Sequence, residues 1–204
     1  MPADLAVIGL GHLGLPLVQA AVAAGIDTVG YDTDPRPCAE LRAGRTPVEG
    51  SLAASEIRRM LSGGFRPTTS AAELGRVRTA VICSPTPLGP DRTVDLTALR
   101  DAARALAARL RPHTTVLLES AVPPGTTENV LRPLLEEGSG LVAGRDFHLA
   151  CSPSRLDPGN RTHTYASTPK VIGGLTPACT ESAAAFYGRL TDKVVRARGR
   201  ARPR

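Results

Sequence analysis

Gly9, Gly11 and Gly14 stand at the spacing Gly-x-Gly-x-x-Gly, between the apolar run 5–8 and a helical pattern over 13–24. That spacing suits a bound pyrophosphate. The first glycine permits a tight turn, the second lets phosphates approach the backbone, and the third lets the helix pack closely on the strand. Around Gly11, His12 and Leu13 the N–H groups of the helix start would then face an anion, which the helix dipole also favours. About twenty residues further on, Asp32 closes a second apolar stretch, 26–31. A carboxylate there accepts hydrogen bonds from both ribose hydroxyls and repels a 2′-phosphate, so the pattern favours NAD over NADP. Arg36 lies close enough in sequence to offset part of that repulsion.

Other reactive side chains are scattered. Cys38, Cys83, Cys151 and Cys179 form no Cys-x-x-Cys pair, and His12, His113, His148 and His163 have no metal-ligand spacing. Neither a zinc site nor a disulfide framework is indicated, and reduced thiols in a cytoplasmic setting are expected. The net charge of +6 hints at nucleic acid, but Lys193, Arg196, Arg198, Arg200, Arg202 and Arg204 account for all of it. The remaining body is neutral, so the excess belongs to a basic tail, and a nucleic-acid-binding face is not expected.

Several elements must position the glycine loop and Asp32. Strands are predicted at 5–8, 26–31, 79–83, 115–119, 147–151 and 170–172, and helices at 13–24, 36–43, 53–61, 95–110, 127–137 and 177–190. The helix at 95–110 is the clearest, with Leu96, Leu99, Ala103, Leu106 and Leu110 at helical spacing. Strands alternating with helices predict an α/β fold, a Rossmann-type doubly wound parallel sheet. Aromatic residues make up 3% with no Trp, so the core has to be aliphatic. No apolar run has the roughly 18 residues that cross a bilayer, and no signal peptide is recognised at the N-terminus. One domain over 1–192 is expected, followed by a basic tail over 193–204 without regular structure beyond the last strand.

Three later segments are distinctive: Val81-Ile82-Cys83-Ser84-Pro85-Thr86-Pro87-Leu88, Glu119-Ser120-Ala121-Val122-Pro123-Pro124-Gly125-Thr126-Thr127, and Cys151-Ser152-Pro153-Ser154-Arg155-Leu156-Asp157-Pro158-Gly159. With the glycine-rich opening, they resemble the UDP-glucose/GDP-mannose dehydrogenase family. The run Pro169-Lys170-Val171-Ile172-Gly173-Gly174 makes the likeness greatest to bacterial UDP-N-acetylhexosamine 6-dehydrogenases. The resemblance implies oxidation of a sugar C6 alcohol to a carboxylate in two NAD-dependent steps, through a cysteine thioester that water releases. It implies that Pro85, Thr86 and Ser120 lie along the NAD and that 123–126 border its nicotinamide end. It assigns Ser154, Arg155, Leu156 and Asp157 to a UDP-sugar substrate.

The sequence departs from the family at catalytic positions. Ser154 stands where the family has a water-orienting Glu, and Ala121 where it has a hydrogen-bonding Thr. A hydroxyl without a neighbouring base does not take up a proton as a carboxylate does. The resemblance ends near Val195, before the family's central helix and its domain with the nucleophilic Cys. The expectation is a cofactor-binding portion, inactive alone, that self-associates or needs a partner subunit. The alternative is a non-catalytic NAD-binding regulatory or interaction subunit. Cys83 and Cys151 are expected to be core residues, and Glu119 and Asp157 hydrogen-bonding loop residues more than substitute bases.

Overall fold

The computed structural model describes residues 3–89, 91–154, 165 and 167–197. Strand β1 (Leu5–Ile8) is buried throughout and pairs in parallel with β2 (Thr28–Tyr31) on one side and β4 (Thr79–Ile82) on the other. With β3 (Arg66–Thr68), β5 (Thr115–Leu118), β6 (His148–Cys151), β7 (Lys170–Gly174) and β8 (Val194–Arg196), the sheet runs β3-β2-β1-β4-β5-β6-β7-β8. The first six strands in this order are parallel, the arrangement of a doubly wound dinucleotide fold.

The helices are α1 (Gly14–Ala23), α2 (Pro35–Arg42), α3 (Ala54–Ser62), α4 (Thr97–Ala107), α5 (Arg132–Ser139) and α6 (Pro177–Tyr187). Alternation along the strands builds a core on each face of the sheet. Leu5, Val7, Val81 and Leu117 pack with Leu15 and Val18 of α1, Leu41 of α2, Ile57 of α3 and Tyr187 of α6. Ala6, Ile8, Ile82 and Val116 pack with Leu99 and Leu106 of α4 and Leu135 of α5. Each fully buried leucine of this kind contributes about 1.5–3 kcal/mol, which is how an aliphatic core suffices without tryptophan.

Four features differ from the sequence-based expectation. Strand β3 was not predicted, because it is short and carries Pro67; an edge strand tolerates a missing N–H. Next, β7 runs antiparallel to β6, through Ala150–Gly174 and Cys151–Gly173, so the sheet is mostly rather than wholly parallel. In place of one helix over 127–137, a π turn at Thr127–Leu131 precedes α5. The Arg132 N–H reaches back to the Thr127 carbonyl, and the next residue, Pro133, has no N–H to continue an ordinary ladder.

The fourth difference concerns the tail. The expected boundary at 192 is too early, because Val194, Val195 and Arg196 pair in parallel with Lys170, Val171 and Ile172. Arg196 also grips Glu181 of α6 with two hydrogen bonds, at 2.8 and 3.0 Å, and Lys193 donates to the Ser167 carbonyl at 3.1 Å. Two valines among basic residues are too short a run to read as a strand, yet a neighbouring carboxylate can hold one in place. The other four arginines of that tail, Arg198, Arg200, Arg202 and Arg204, lie outside the described residues.

The seat of α6 is tight. Thr176 accepts from the Cys179 N–H at its start, and the Gly174 N–H donates to Thr180 Oγ1 at 3.1 Å. A Cβ on Gly174 would lie 2.3 Å from the Thr180 nitrogen. Gly174→Ala is therefore expected to cost about 1–3 kcal/mol in urea unfolding, as overpacking against backbone does. An unchanged midpoint would mean that α6 docks with slack.

Candidate functional site

Where the chain leaves β1, Gly9 has φ of +100°, a conformation that favours glycine. Its N–H donates to the Tyr31 carbonyl at 2.8 Å, and a Cβ there would lie 2.8 Å from the Cys83 carbonyl oxygen. Gly14 opens α1 against this turn, and its Cβ would stand only 1.9 Å from the Gly9 oxygen. Gly11 is the opposite case: a Cβ there would meet nothing within 4 Å, so its backbone faces open space. No side chain caps α1, and the buried Leu10, half-buried Leu13 and exposed His12 complete the loop. The backbone thus offers an uncapped helix start to an anion, with room at Gly11 for it to approach.

Asp32 sits beside this loop at the end of β2. Its two carboxylate oxygens accept the Leu10 N–H at 2.9 Å and the Asp34 N–H at 3.0 Å. Those bonds orient the group and couple β2 to the loop, while each oxygen keeps acceptor capacity for a ligand hydroxyl. Arg36 does not face the loop's phosphate side as a free cation. Its guanidinium holds Asp34 at 2.6–3.1 Å, which lowers the Asp34 carboxyl below its usual range and raises Arg36. The same Asp34 accepts the Arg36 N–H at the start of α2.

The loops after β4 and β5 form the opposite wall. Thr86 donates to the Ala121 carbonyl at 2.6 Å, tying the two loops together. Pro85 and Ala121 are exposed. Ser120 is buried, and its proton is committed to the Ser84 carbonyl at 2.8 Å. It braces the loops from beneath, though it also borders a cavity between the ends of β5 and β6 and the π turn. Val122, Pro124, Thr127, Cys151 and Leu175 are among the residues lining that cavity. Ser154 is half-buried where the chain leaves β6. Arg155, Leu156 and Asp157, assigned to substrate by resemblance, lie outside the described residues.

No thiol is primed for attack. Burial pushes Cys83 well above its usual value, and the negative charge of Glu119 adds to this. Cys151 is half-buried at the cavity, where desolvation again raises its thiol and a hydrogen bond from Thr127 only partly opposes that. Cys38 and Cys179 are fully buried. Among the described residues no group of three or more His, Cys, Asp and Glu side chains is placed to hold a metal.

Sequence reasoning missed how Glu119 is used. The residue is 0% exposed; its Oε1 accepts from Tyr187 at 2.8 Å and also from Tyr165, and its Oε2 meets Lys170 Nζ at 2.8 Å. Lys170 is itself 5% exposed, with Nζ 4.4 Å from the Tyr165 ring centre and 4.9 Å from that of Tyr187. Burial beside this carboxylate raises both tyrosines well above their usual range. A carboxylate consumed in this way does not face the crevice as a water-activating base. One signal was present in the sequence: a Glu ending a strand that is otherwise apolar, and a Lys opening another.

Comparison with known proteins adds to this geometry. The model for the UDP-glucose/GDP-mannose dehydrogenase family, NAD binding domain, matches residues 3–191. A UDP-N-acetyl-D-glucosamine 6-dehydrogenase of Pseudomonas aeruginosa is 35% identical over 187 residues, covering 90% of this chain and 42% of the relative. A UDP-N-acetyl-D-mannosamine dehydrogenase of Pyrococcus horikoshii is 33% identical over 184 residues, covering 90% and 44%. The solved structure of the UDP-D-ManNAc dehydrogenase from Pyrococcus horikoshii superposes with a TM-score of 0.88 at 30% identity, over 96% of this chain and 47% of that one. The chain spans less than half the length of the curated relatives it matches.

The thiol environments predict a simple reactivity pattern. With an uncharged thiol reagent at neutral pH, one of the four cysteines of the native protein is expected to react, slowly, and Cys151→Ser to abolish the reaction. Rapid labelling, or labelling of Cys83, would contradict the buried, unactivated thiols described above.

Proposed function

Since the chain belongs to the UDP-glucose/GDP-mannose dehydrogenase family, as its NAD-binding domain, we propose that the loop Gly9–Gly14 and Asp32 hold NAD for the oxidation of a nucleotide-sugar C6 alcohol to a carboxylate. The observation that carries this reading is the single unit formed by the uncapped start of α1, the open backbone at Gly11 and the Asp32 carboxylate bonded to Leu10. In it the pyrophosphate lies on the α1 N-terminus and Asp32 takes the adenosine ribose hydroxyls. Gly9 and Gly14 let strand and helix close behind the phosphates, with His12 and Leu13 at the rim. Pro85 and Thr86 border the cofactor, and the loop 123–126 meets its nicotinamide end. The family cofactor is NAD, and when bound it supplies the hydride acceptor. Pairing of Arg36 with Asp34 supports NAD over NADP, because that cation is already neutralised.

We assign Ser154 and the residues after it, Arg155, Leu156 and Asp157, to the sugar nucleotide, of which a UDP-N-acetylhexosamine is the favoured class. Ser154 and Ala121 lack the carboxylate and hydroxyl of the family's catalytic positions, and Glu119 is locked in its buried ion pair. The residues described bind and orient. A nucleophilic thiol and a water-activating base have to come from a complementing segment, on a partner subunit or on the same polypeptide. No described helix is long and apolar enough to cross a membrane, and four free thiols suit a reducing, cytoplasmic setting.

Calorimetric titration of this chain with NAD is expected to saturate below millimolar concentration. Asp32→Ala should weaken NAD about tenfold, the size expected for lost hydrogen bonds to a charged group, and narrow the gap to NADP. If affinity and preference both stay unchanged, the ribose assignment fails. With UDP-N-acetylglucosamine added, NADH formation should stay at background; clear turnover would overturn the division between binding and catalysis.

A further inference from the structure

Asp34 stands between Asp32 and Arg36 in contact as well as in sequence. Its N–H donates to Asp32 Oδ1 at 3.0 Å, while the other Asp32 oxygen accepts the Leu10 N–H at 2.9 Å. Its own carboxylate caps α2 by accepting the Arg36 N–H at 2.9 Å. The same carboxylate holds the Arg36 guanidinium, through Nε at 2.9 and 3.1 Å and through Nη2 at 2.6 Å.

Folding does not call for this grip. The Arg36 side chain is 87% exposed, and ion pairs at such exposure add little to stability. The cap on α2 needs only one oxygen. What the grip does is withhold a cation from the ribose end of the crevice. Pro35 and Pro37 have no N–H, so among the first three residues of α2 only Arg36 offers a backbone donor, and Asp34 fills it. Unlike the start of α1, this helix start has no free donor there for an incoming anion. The other arginines of the segment are engaged as well. Arg42 donates to the Pro67 carbonyl at 2.9 and 3.1 Å, and Arg45 to Glu40 at 2.6 and 2.9 Å. A phosphate on the 2′-oxygen of a ribose at Asp32 would therefore meet two carboxylates and a guanidinium already in use. Dinucleotide folds that accept that phosphate meet it with an arginine in this neighbourhood.

We propose that Asp34 is a positioning residue that sets cofactor choice: by holding Arg36 it withholds the group that would bind a 2′-phosphate, and so excludes NADP alongside Asp32. This rests on the reading of Asp32 as the ribose ligand. The two acids act differently. Asp32 meets the ribose directly, whereas Asp34 touches no part of the cofactor and acts through Arg36. NAD carries no 2′-phosphate and gains nothing from a free Arg36.

Asp34→Ser in the full chain tests it. Serine still caps α2 and is too short to hold the guanidinium. In calorimetric titrations its effect on NADP affinity is expected to be a gain of about tenfold in the Asp32→Ala background, the size of a hydrogen bond between charged groups. With Asp32 in place the gain should be smaller, because that carboxylate can capture the freed Arg36. NAD affinity should change by less than about twofold in either background, and adding Arg36→Ala should cancel the gain for NADP. Loss of a negative charge alone predicts otherwise: NADP affinity rises whether or not Arg36 is present, and that result overturns the proposal. An NADP affinity that Asp34→Ser leaves unchanged overturns it too, as does an equal change for NAD and NADP. If the wild type does not bind NAD, the functional reading fails and this inference with it. If the wild type binds NAD and any of the three contrary results is found, this inference alone fails.

Discussion

The first turn of α1 rests on the end of β1 with no space for a methyl group between them: a Cβ on Gly14 would sit 1.9 Å from the Gly9 carbonyl oxygen. That approach fixes the line along which the helix start points, and much else follows from it. Strand β1 lies between β2 and β4, so the chain departs to one side and later returns to the other, opening a crevice where the direction reverses. The Cys83 carbonyl closes on Gly9 from β4, while Asp32 reaches the Leu10 N–H from β2. A side chain at position 14 would lever the helix off the sheet and disturb all three contacts together.

Features that depend on local sequence were legible, and features that depend on distant partners were not. Gly9, Gly11, Gly14 and Asp32 are spaced along one strand–helix–strand unit, so their order alone implies the geometry. The stripe of Leu99, Ala103 and Leu106 likewise marked α4, and these three are fully buried. By contrast, β8 is held through its pairing with β7 and by Glu181, and neither is visible in the run Lys193-Val194-Val195-Arg196. The reversal of β7 leaves no periodic trace, since period-two patterning is the same for parallel and antiparallel partners. Arg36 was legible as a nearby cation but not as one engaged by Asp34.

The sheet divides into two regions with different kinds of interior. Around β1, β2 and β4 the core is aliphatic, with the buried hydroxyls of Thr28 and Thr79 at the strand starts, opposite the crevice. Beside β5 and β7 the interior holds a carboxylate, an ammonium and two phenols in contact with one another. Apolar packing is tolerant of sliding and repacking, whereas a buried ionic group accepts few positions. The first region suits a cofactor bound through backbone groups, and the second ties the end of β5 to β7 and α6. Burial raises the thiols of Cys83 and Cys151, the one inside the core and the other at the cavity.

The antiparallel pairing of β7 with β6 also decides the direction of β8. Strand β8 is parallel to β7, so it runs opposite to the first six strands of the sheet, away from the end where the glycine loop lies. A surface linker, affinity handle or fused protein joined after Arg196 therefore departs from the side of the molecule remote from the crevice. Tethered in that way, the domain would present the face that carries the glycine loop outward to solution.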